Sequence, residues 1–518
     1  MKRLLACIIC LVMLLTCTSA ALCEAEPETR TIRGWGAFSF NDQTGITSYD
    51  QQLAWQQIAE RIGINVEWTT VSGNDRNTQF SLVMASGNLP DFFVDIDPLY
   101  YEEFGRKGAL IPLNDYVAKM ENLQALFEQD PEALPSITSA DGNIYFLPRL
   151  LEPAARYWPG LFIREDYLEQ VGMEVPTTTQ EFYDALVAIK ENIPTCDKLI
   201  TGGMGVVKTL VWPFGVGSRG TGTGTTDDAF IEDGEVKYGP TDERYREALI
   251  YIRSLYDAGL IDPEWNTVTT DQTRTNIVTG ESAVTAGSFS GVLSTYNGLL
   301  AADGQGEALT YIDPLEGPDG VRTWQGHHTS IDVSYGAAIS STSSNADVVA
   351  ELFDYTYSDE GRELIYWGVE GETFEVVDGE YQFTDVVNSS DLGVLNYLNN
   401  YSANTSCYPS AMITVFYHAT LSDKAREGNL SETELGQQYD IRMPALRYTE
   451  MEISEVNTIL TDLNAYVDEY FAAFISGAKD PSNDDDWASY VAGFDGLRLD
   501  ELMQYYSDAY ARFLSVKG

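Results

Sequence analysis

The sequence predicts an α/β protein of two lobes that ends in a helical C-terminal part. At 518 residues the chain exceeds what one core organises, so two lobes are expected. Between Thr31 and Asp97 the apolar runs alternate strand, helix, strand, helix, strand, which is the pattern of a parallel sheet. Beyond about Val456, apolar stripes at helical spacing continue almost to the end. A hydrophobic content of 44% with 12% aromatics supports packed cores and excludes a disordered chain. The net charge of −48 argues against nucleic acid, which needs a basic surface, and matches an anionic membrane surface poorly.

Residues 1–25 read as a signal peptide. Lys2 and Arg3 precede the apolar run Leu4 to Leu15, which is too short to span a bilayer. Ser19-Ala20-Ala21 offers ordinary cleavage and Cys23 a second boundary. Neither Cys17 nor Cys23 follows a small residue, so lipid anchoring stays open beside free export. Cys196 and Cys407 remain in the mature chain, either as two buried thiols or as a disulfide.

The first strand, from Thr31, reads as breaking at the glycine-flanked turn Gly34-Trp35-Gly36. Trp35 is then either a ligand-stacking ring or a cap on the core edge. A helix over about Ser48–Arg61 presents Trp55, Ile58 and Ile62 and stops at Gly63, before a strand at Ile64–Trp68. The next helix carries Phe80, Val83 and Met84, with Gly87 as left-handed cap and Pro90 as stop. Phe92-Phe93-Val94 follows as a buried strand ending at Asp95 and Asp97. Polar ligands meet an open α/β sheet beyond such strand ends. Another short strand is expected within Asp141–Arg149. Just after it, Arg156, Tyr157 and Trp158 combine ring faces with a forked donor, suiting either sugar contact or hinge packing.

Thr178 and Glu181 form a capping box, and Phe182, Ala185, Leu186 and Ile189 form one stripe. Gly202–Gly224 reads as a mobile connection holding Trp212, a ring for cleft or core. A helix is expected over Thr241–Gly259. Trp324 precedes His327-His328, and neighbours on a strand point to opposite faces, which disfavours a shared metal or catalytic role. Ser334 and Tyr335 precede the strand Gly336–Ile339, within reach of a ligand. Asp378-Gly379 makes a hairpin turn. In the tail, one stripe runs from Val456 to Phe474 and another from Leu499 through Tyr506 and Tyr510 to Phe513. Asp484-Asp485-Asp486 between them reads as a solvated turn.

Several stretches carry a family resemblance. "MASGNLPDFFVD", "LFIREDYLEQVGMEVPTTTQEF", "LYDAGLIDPEW" and "YIDPLEGPDG" resemble segments of the extracellular solute-binding proteins, family 1, of bacterial ABC importers. The similarity is greatest to the large, lipoprotein-like carbohydrate binders. It implies a periplasmic-binding-protein type II-like fold, two α/β lobes closing on a hinge in Venus-flytrap fashion. Lobe one would comprise residues 26–150 plus 326–364, and lobe two 151–325 plus 365–518.

The resemblance implies an exported monomer, extracellular or at the cell surface. It would capture a sugar or oligosaccharide and deliver it to the membrane permease subunits. Ligand contacts would come from Trp35, Asp95, Asp97, Arg156, Tyr157, Trp158, Trp212, Phe289, Trp324, Ser334 and Tyr335. Phe289 stands roughly where the family usually has tryptophan. "NIPTCDKLI" lacks the alternating acids of the calcium loop that many relatives carry there, so no metal is expected, and no cofactor. Two alternatives remain: the same fold holding a peptide or serving as a sensor, and a secreted glycan-active enzyme. No Gly-x-Ser-x-Gly or His-Glu-x-x-His pattern supports catalysis, so no catalytic residue is assigned.

Overall fold

The computed structural model describes residues 30–157, 159–221, 228–326, 328–403 and 408–518. The expected signal peptide, Trp158, His327 and Cys407 lie outside the described residues. Among the described residues, thirteen strands, β1 to β13, follow one another in chain order. β1 (Arg30–Ala37), β2 (Ile64–Val71), β3 (Phe92–Ile96), β4 (Leu147–Leu151), β10 (Ile331–Ile339) and β13 (Ser410–Met412) form one sheet, in the order β13-β4-β10-β3-β1-β2. β5 (Pro159–Arg164), β8 (Val284–Ser288) and β9 (Leu309–Ile312) form a second, ordered β8-β5-β9. β6 (Ala229–Glu232) with β7 (Glu235–Tyr238), and β11 (Phe374–Val377) with β12 (Glu380–Phe383), are hairpins.

β3 is buried on both faces, which is why Phe92-Phe93-Val94 reads as an apolar run with no alternation. Phe93 turns to one face, meeting Trp35 and Phe80 of helix Arg76–Ser86 at ring distances of 5.7 and 5.0 Å. Phe92 turns to the other face, 5.2 Å from Phe353 of helix Ala346–Tyr357. The glycines beside Trp35 do not break β1, which runs on to Ala37. They make room for rings instead: a Cβ on Gly34 would lie 2.5 Å from Phe92, and one on Gly36 2.4 Å from Tyr49.

The core of this sheet extends beyond residue 364, the boundary expected for lobe one. It takes in Trp367, Phe374, Leu398, Tyr408, Ala411 and Phe416, because β13 returns to pair with β4. A second core gathers Ile163, Leu186, Leu249, Val284, Trp212 and Trp324 with the tail residues Ile459, Leu463, Phe471 and Tyr506. A small third one holds Phe162, Phe289, Leu309 and Tyr417. The expected mobile connection contains helix Gly203–Thr209 and the turn Trp212–Phe214, while residues 222–227 lie outside the described residues. Asp484–Asp486 are the first turn of helix Asp484–Gly493, capped by Asn483, where carboxylates suit the helix dipole.

At the end of the sheet away from the second lobe, Asp91 clasps three strands. Its carboxylate accepts from the Arg33 amide (2.7 Å), the Ser343 hydroxyl (2.7 Å) and the Asn345 amide group (3.3 Å). Its own amide donates to the Arg33 carbonyl, and its carbonyl accepts from the Ser340 amide. Asp91→Ala strands these buried donors and is expected to cost about 3 kcal/mol. Urea denaturation should show a lower midpoint at unchanged slope; an unmoved midpoint contradicts the clasp.

Candidate functional site

Strand direction decides where the two lobes face each other. β1, β2 and β3 run parallel, β10 runs antiparallel between β3 and β4, and β13 runs parallel to β4. The carboxyl ends of β1–β4 and β13 and the amino end of β10 therefore share one edge. The chain leaves that edge after Leu151, returns to it before Ile331 and leaves again after Met412. In the second sheet, Pro159 opens β5 opposite Ser288, the end of β8, so that edge receives the first crossing. The seam between the lobes is the gap between these two edges.

On the first-lobe side, Asp95 is fully buried and adopts φ +67°, a conformation asparagine and aspartate tolerate better than other side-chained residues. Arg76 donates to Asp95 Oδ1 at 2.7 Å and stacks 4.8 Å above the Tyr335 ring. Opposite, β10 slips register between Asp332 and Gly336, throwing residues 333–335 out of the ladder as a bulge. Ser334 is exposed at its crest. Asp332 at its foot pairs with Arg149 at 2.8 Å. Asp97 caps helix Pro98–Arg106 by accepting from the Leu99 amide, and burial pushes its carboxyl up.

At the crossings lies a cavity of about 370 Å³, lined by Glu132, Arg156, Tyr157, Ile231, Asp440, Arg442, Pro444, Tyr510, Phe513 and Lys517. Tyr157, Tyr510 and Phe513 supply its aromatic surface, the last two nearly parallel with ring centres 6.3 Å apart. Burial, reinforced by Asp440, pushes the Tyr157 phenol up to about 12, so it stays a donor at neutral pH. Arg156 is spent on the Leu151 carbonyl and Asp130. Arg442 lies 2.9 Å from Asp440 and 3.4 Å from Glu132, and Lys517 reaches Glu132 at 3.0 Å. A second cavity of about 210 Å³, between helix Pro98–Arg106 and residues 446–457, has Tyr100, Arg447, Tyr448 and Asn457 among its walls.

The crossings are clamped to one another. The Asn429 side-chain NH2 donates to the carbonyls of Ala154 (3.0 Å) and Tyr157 (2.6 Å). Its oxygen must then accept from His418 Nε2, 2.9 Å away, which assigns that tautomer.

Of the residues expected at the site, Arg156 and Tyr157 line the cavity, and Asp97, Ser334 and Tyr335 stand on the facing edge. Asp95 supports Arg76 from beneath. Four of the rings expected as ligand contacts are buried in cores instead. Trp35 is 2% exposed, and the Trp212 and Trp324 rings lie 4.5 Å apart in the second core. Phe289 is 0% exposed against Phe162, beneath Gly428. All four fill cores because each element is covered on the face they occupy. Tyr510 and Phe513 went unassigned in the sequence because their spacing continues a core stripe. Glu132, Asp440 and Arg442 carried no local pattern.

The profile of the family described as bacterial extracellular solute-binding protein matches residues 42–363. The chain is 25% identical over 355 residues to Lipoprotein LipO of Bacillus subtilis, covering 66% of this chain and 68% of the relative. It is 26% identical over 356 residues to the fructooligosaccharide ABC transporter substrate-binding protein FusA of Streptococcus pneumoniae, covering 62% and 61%. Among solved structures, an HMO-binding, ABC-transporter-associated solute-binding protein from Bifidobacterium longum infantis superposes with a TM-score of 0.75 at 18% identity, over 94% and 99% of the two chains. The alginate-binding protein AlgQ2 superposes at 0.69 with 23% identity, over 94% and 98%. These structural likenesses identify the fold, a type II periplasmic-binding-protein-like arrangement.

The cavity's charge pairs make a pH prediction. Burial raises the Glu132 carboxyl, but Arg442 and Lys517 outweigh it and leave it below the usual glutamate value. A carboxyl depressed by folding stabilises above its unfolded value of about 4.5, and that stability is lost as pH falls through the folded value. Glu132→Gln should therefore cost about 2 kcal/mol at pH 7 and progressively less below pH ~4.5, read from urea midpoints across pH. A cost independent of pH contradicts the pairing.

Proposed function

Because the chain belongs to the bacterial extracellular solute-binding protein family, we propose that it is the capture component of an ABC importer, holding a sugar or oligosaccharide between its lobes for delivery to permease subunits. The relatives it matches are named for such work: one binds fructooligosaccharide, and another, 22% identical over 358 residues, is a polygalacturonan/rhamnogalacturonan-binding protein of Bacillus subtilis. Their names describe binding, and this chain is read as a binder that does not turn its ligand over. Export as a monomer to the cell surface, with or without a lipid anchor, completes the reading; LipO is a lipoprotein by name.

The observation that carries the proposal is the cavity at the crossings. A pyranose or furanose ring has an apolar face and a hydroxyl rim. Tyr510 and Phe513 offer ring surface to that face, and the Tyr157 phenol with the charged pairs around Glu132 and Asp440 offers donors and acceptors to the rim. Its walls come from both sides of the seam: Glu132 from the first lobe, Ile231 and the C-terminal helix from the second. A ligand touching both binds the closed arrangement better than the open one, and that difference in affinity drives closure.

A thermal-shift panel of oligosaccharides, amino acids and peptides tests this. At least one oligosaccharide should raise the melting temperature, and Tyr510→Ala should weaken it about tenfold, the cost of losing one stacked ring. Stabilisation by peptides alone overturns the carbohydrate reading.

A further inference from the structure

We infer that this seam selects uncharged glycans and rejects those bearing uronate carboxylates. The inference rests on the carbohydrate reading above and narrows it to one chemical class.

The warrant is how the arginines at the seam are spent. Recognising a carboxylate by arginine requires a forked pair of N–H groups left open to the ligand. Arg76 gives Nε to the Gly73 carbonyl and Nη1 to Asp95. Arg149 gives Nη1 to Asp332 and Nη2 to the Met412 sulfur. Arg156 gives Nε to the Leu151 carbonyl and Nη2 to Asp130. Arg442 faces Asp440 with Nε and Glu132 with Nη2, and Glu132 also takes Lys517. Each of these cations already holds an internal carboxylate, and most are largely buried: side-chain exposure is 9% for Arg149, 14% for Arg156 and 8% for Arg442.

A uronate entering the seam would have to unseat one of those carboxylates or share its arginine, as at the buried Arg149 Nε, which makes no hydrogen bond; either way a partly buried anion loses some of its partner. That exchange costs more than the new pair returns. It would also enter the field of a chain whose net charge is −48. A neutral sugar meets no such obstacle. Its hydroxyls donate to oxygens of Asp332, Asp440 and Glu132 while those acids keep their arginines, and a hydroxyl donating to a carboxylate makes the stronger, charge-assisted kind of hydrogen bond.

Titration calorimetry on the full chain tests the inference. The probes are the best neutral oligosaccharide of the panel, the same glycan with its primary hydroxyls oxidised to carboxylates, and oligouronates of similar length. At about 20 mM salt the neutral glycan should bind at least about tenfold more tightly than any uronate, and the gap should narrow at about 300 mM, where exposed charges are screened. The narrowing marks charge repulsion, since a merely lost hydroxyl contact leaves the ratio insensitive to salt. Glu132→Gln, which frees Lys517 and the Nη2 edge of Arg442 while Asp440 stays on its Nε, should raise the ratio of uronate to neutral affinity about fivefold or more. Asp332→Asn, which frees Arg149, supplies the same readout if the first variant fails to fold. A uronate that binds as tightly as the neutral glycan, weakening as salt rises, overturns the inference and leaves carbohydrate capture standing. Binding of neither series overturns both.

Discussion

The pairing of β10 between β3 and β4 is the constraint on which the rest of the molecule depends. That strand returns from the second lobe, antiparallel to its neighbours, into the middle of a sheet otherwise made of parallel strands. Its insertion makes residues 152–330 a loop thrown out of the first sheet and back into it. Every crossing then leaves by the same edge. The pairing also holds the bulge that sets Ser334 and Tyr335 on that edge, near Asp95, the positive-φ residue inside β3. A register slip of one residue would reverse which side chains face the core. The Asp91 clasp at the far end, tying β1, β3 and the exit of β10 together, opposes such a slip.

Charge plays the second part. A chain with 79 acids and 31 bases has carboxylates to spare, and at the seam they neutralise the arginines. The result is a polar surface with little net charge of its own, inside a strongly acidic protein. Tyr157, Tyr510 and Phe513 add ring faces at low conformational cost, since each has two rotatable side-chain bonds. The clamp from His418 through Asn429 to the carbonyls of Ala154 and Tyr157 ties the third crossing to the first, so the cavity wall and the hinge are mechanically one piece.

Much of the fold was legible in the sequence because caps and periodicities are local. Gly87 at φ +68° closes the helix that Phe80 and Met84 anchor, as its position after their stripe implies. Thr178 caps its helix by accepting from the Glu181 amide, as the spacing implies, but the Glu181 carboxylate accepts from Thr177 instead of closing the expected box on Thr178. The site was less legible, for a physical reason. A large ring beside glycines or at a strand end looks the same in sequence whether it faces a cleft or a core, and what covers it is decided by elements hundreds of residues away. Trp35 is buried by Phe80 and Phe93, and Trp212 by Trp324. Conversely, Tyr510 and Phe513 continue a helical stripe whose earlier members, Leu502 and Tyr506, are core, and nothing local marks where the stripe passes from core to cavity. The acid–arginine pairs join residues such as Glu132 and Arg442, 310 positions apart, which no short motif records.

The most direct test of a carbohydrate held at the crossings is a crystal structure of the protein soaked with an oligosaccharide that stabilises it. This account predicts sugar density in the cavity beside Tyr157, with a ring face against Tyr510 or Phe513 and hydroxyls on Glu132 or Asp440. Density seated elsewhere, with that cavity holding only solvent, would contradict it.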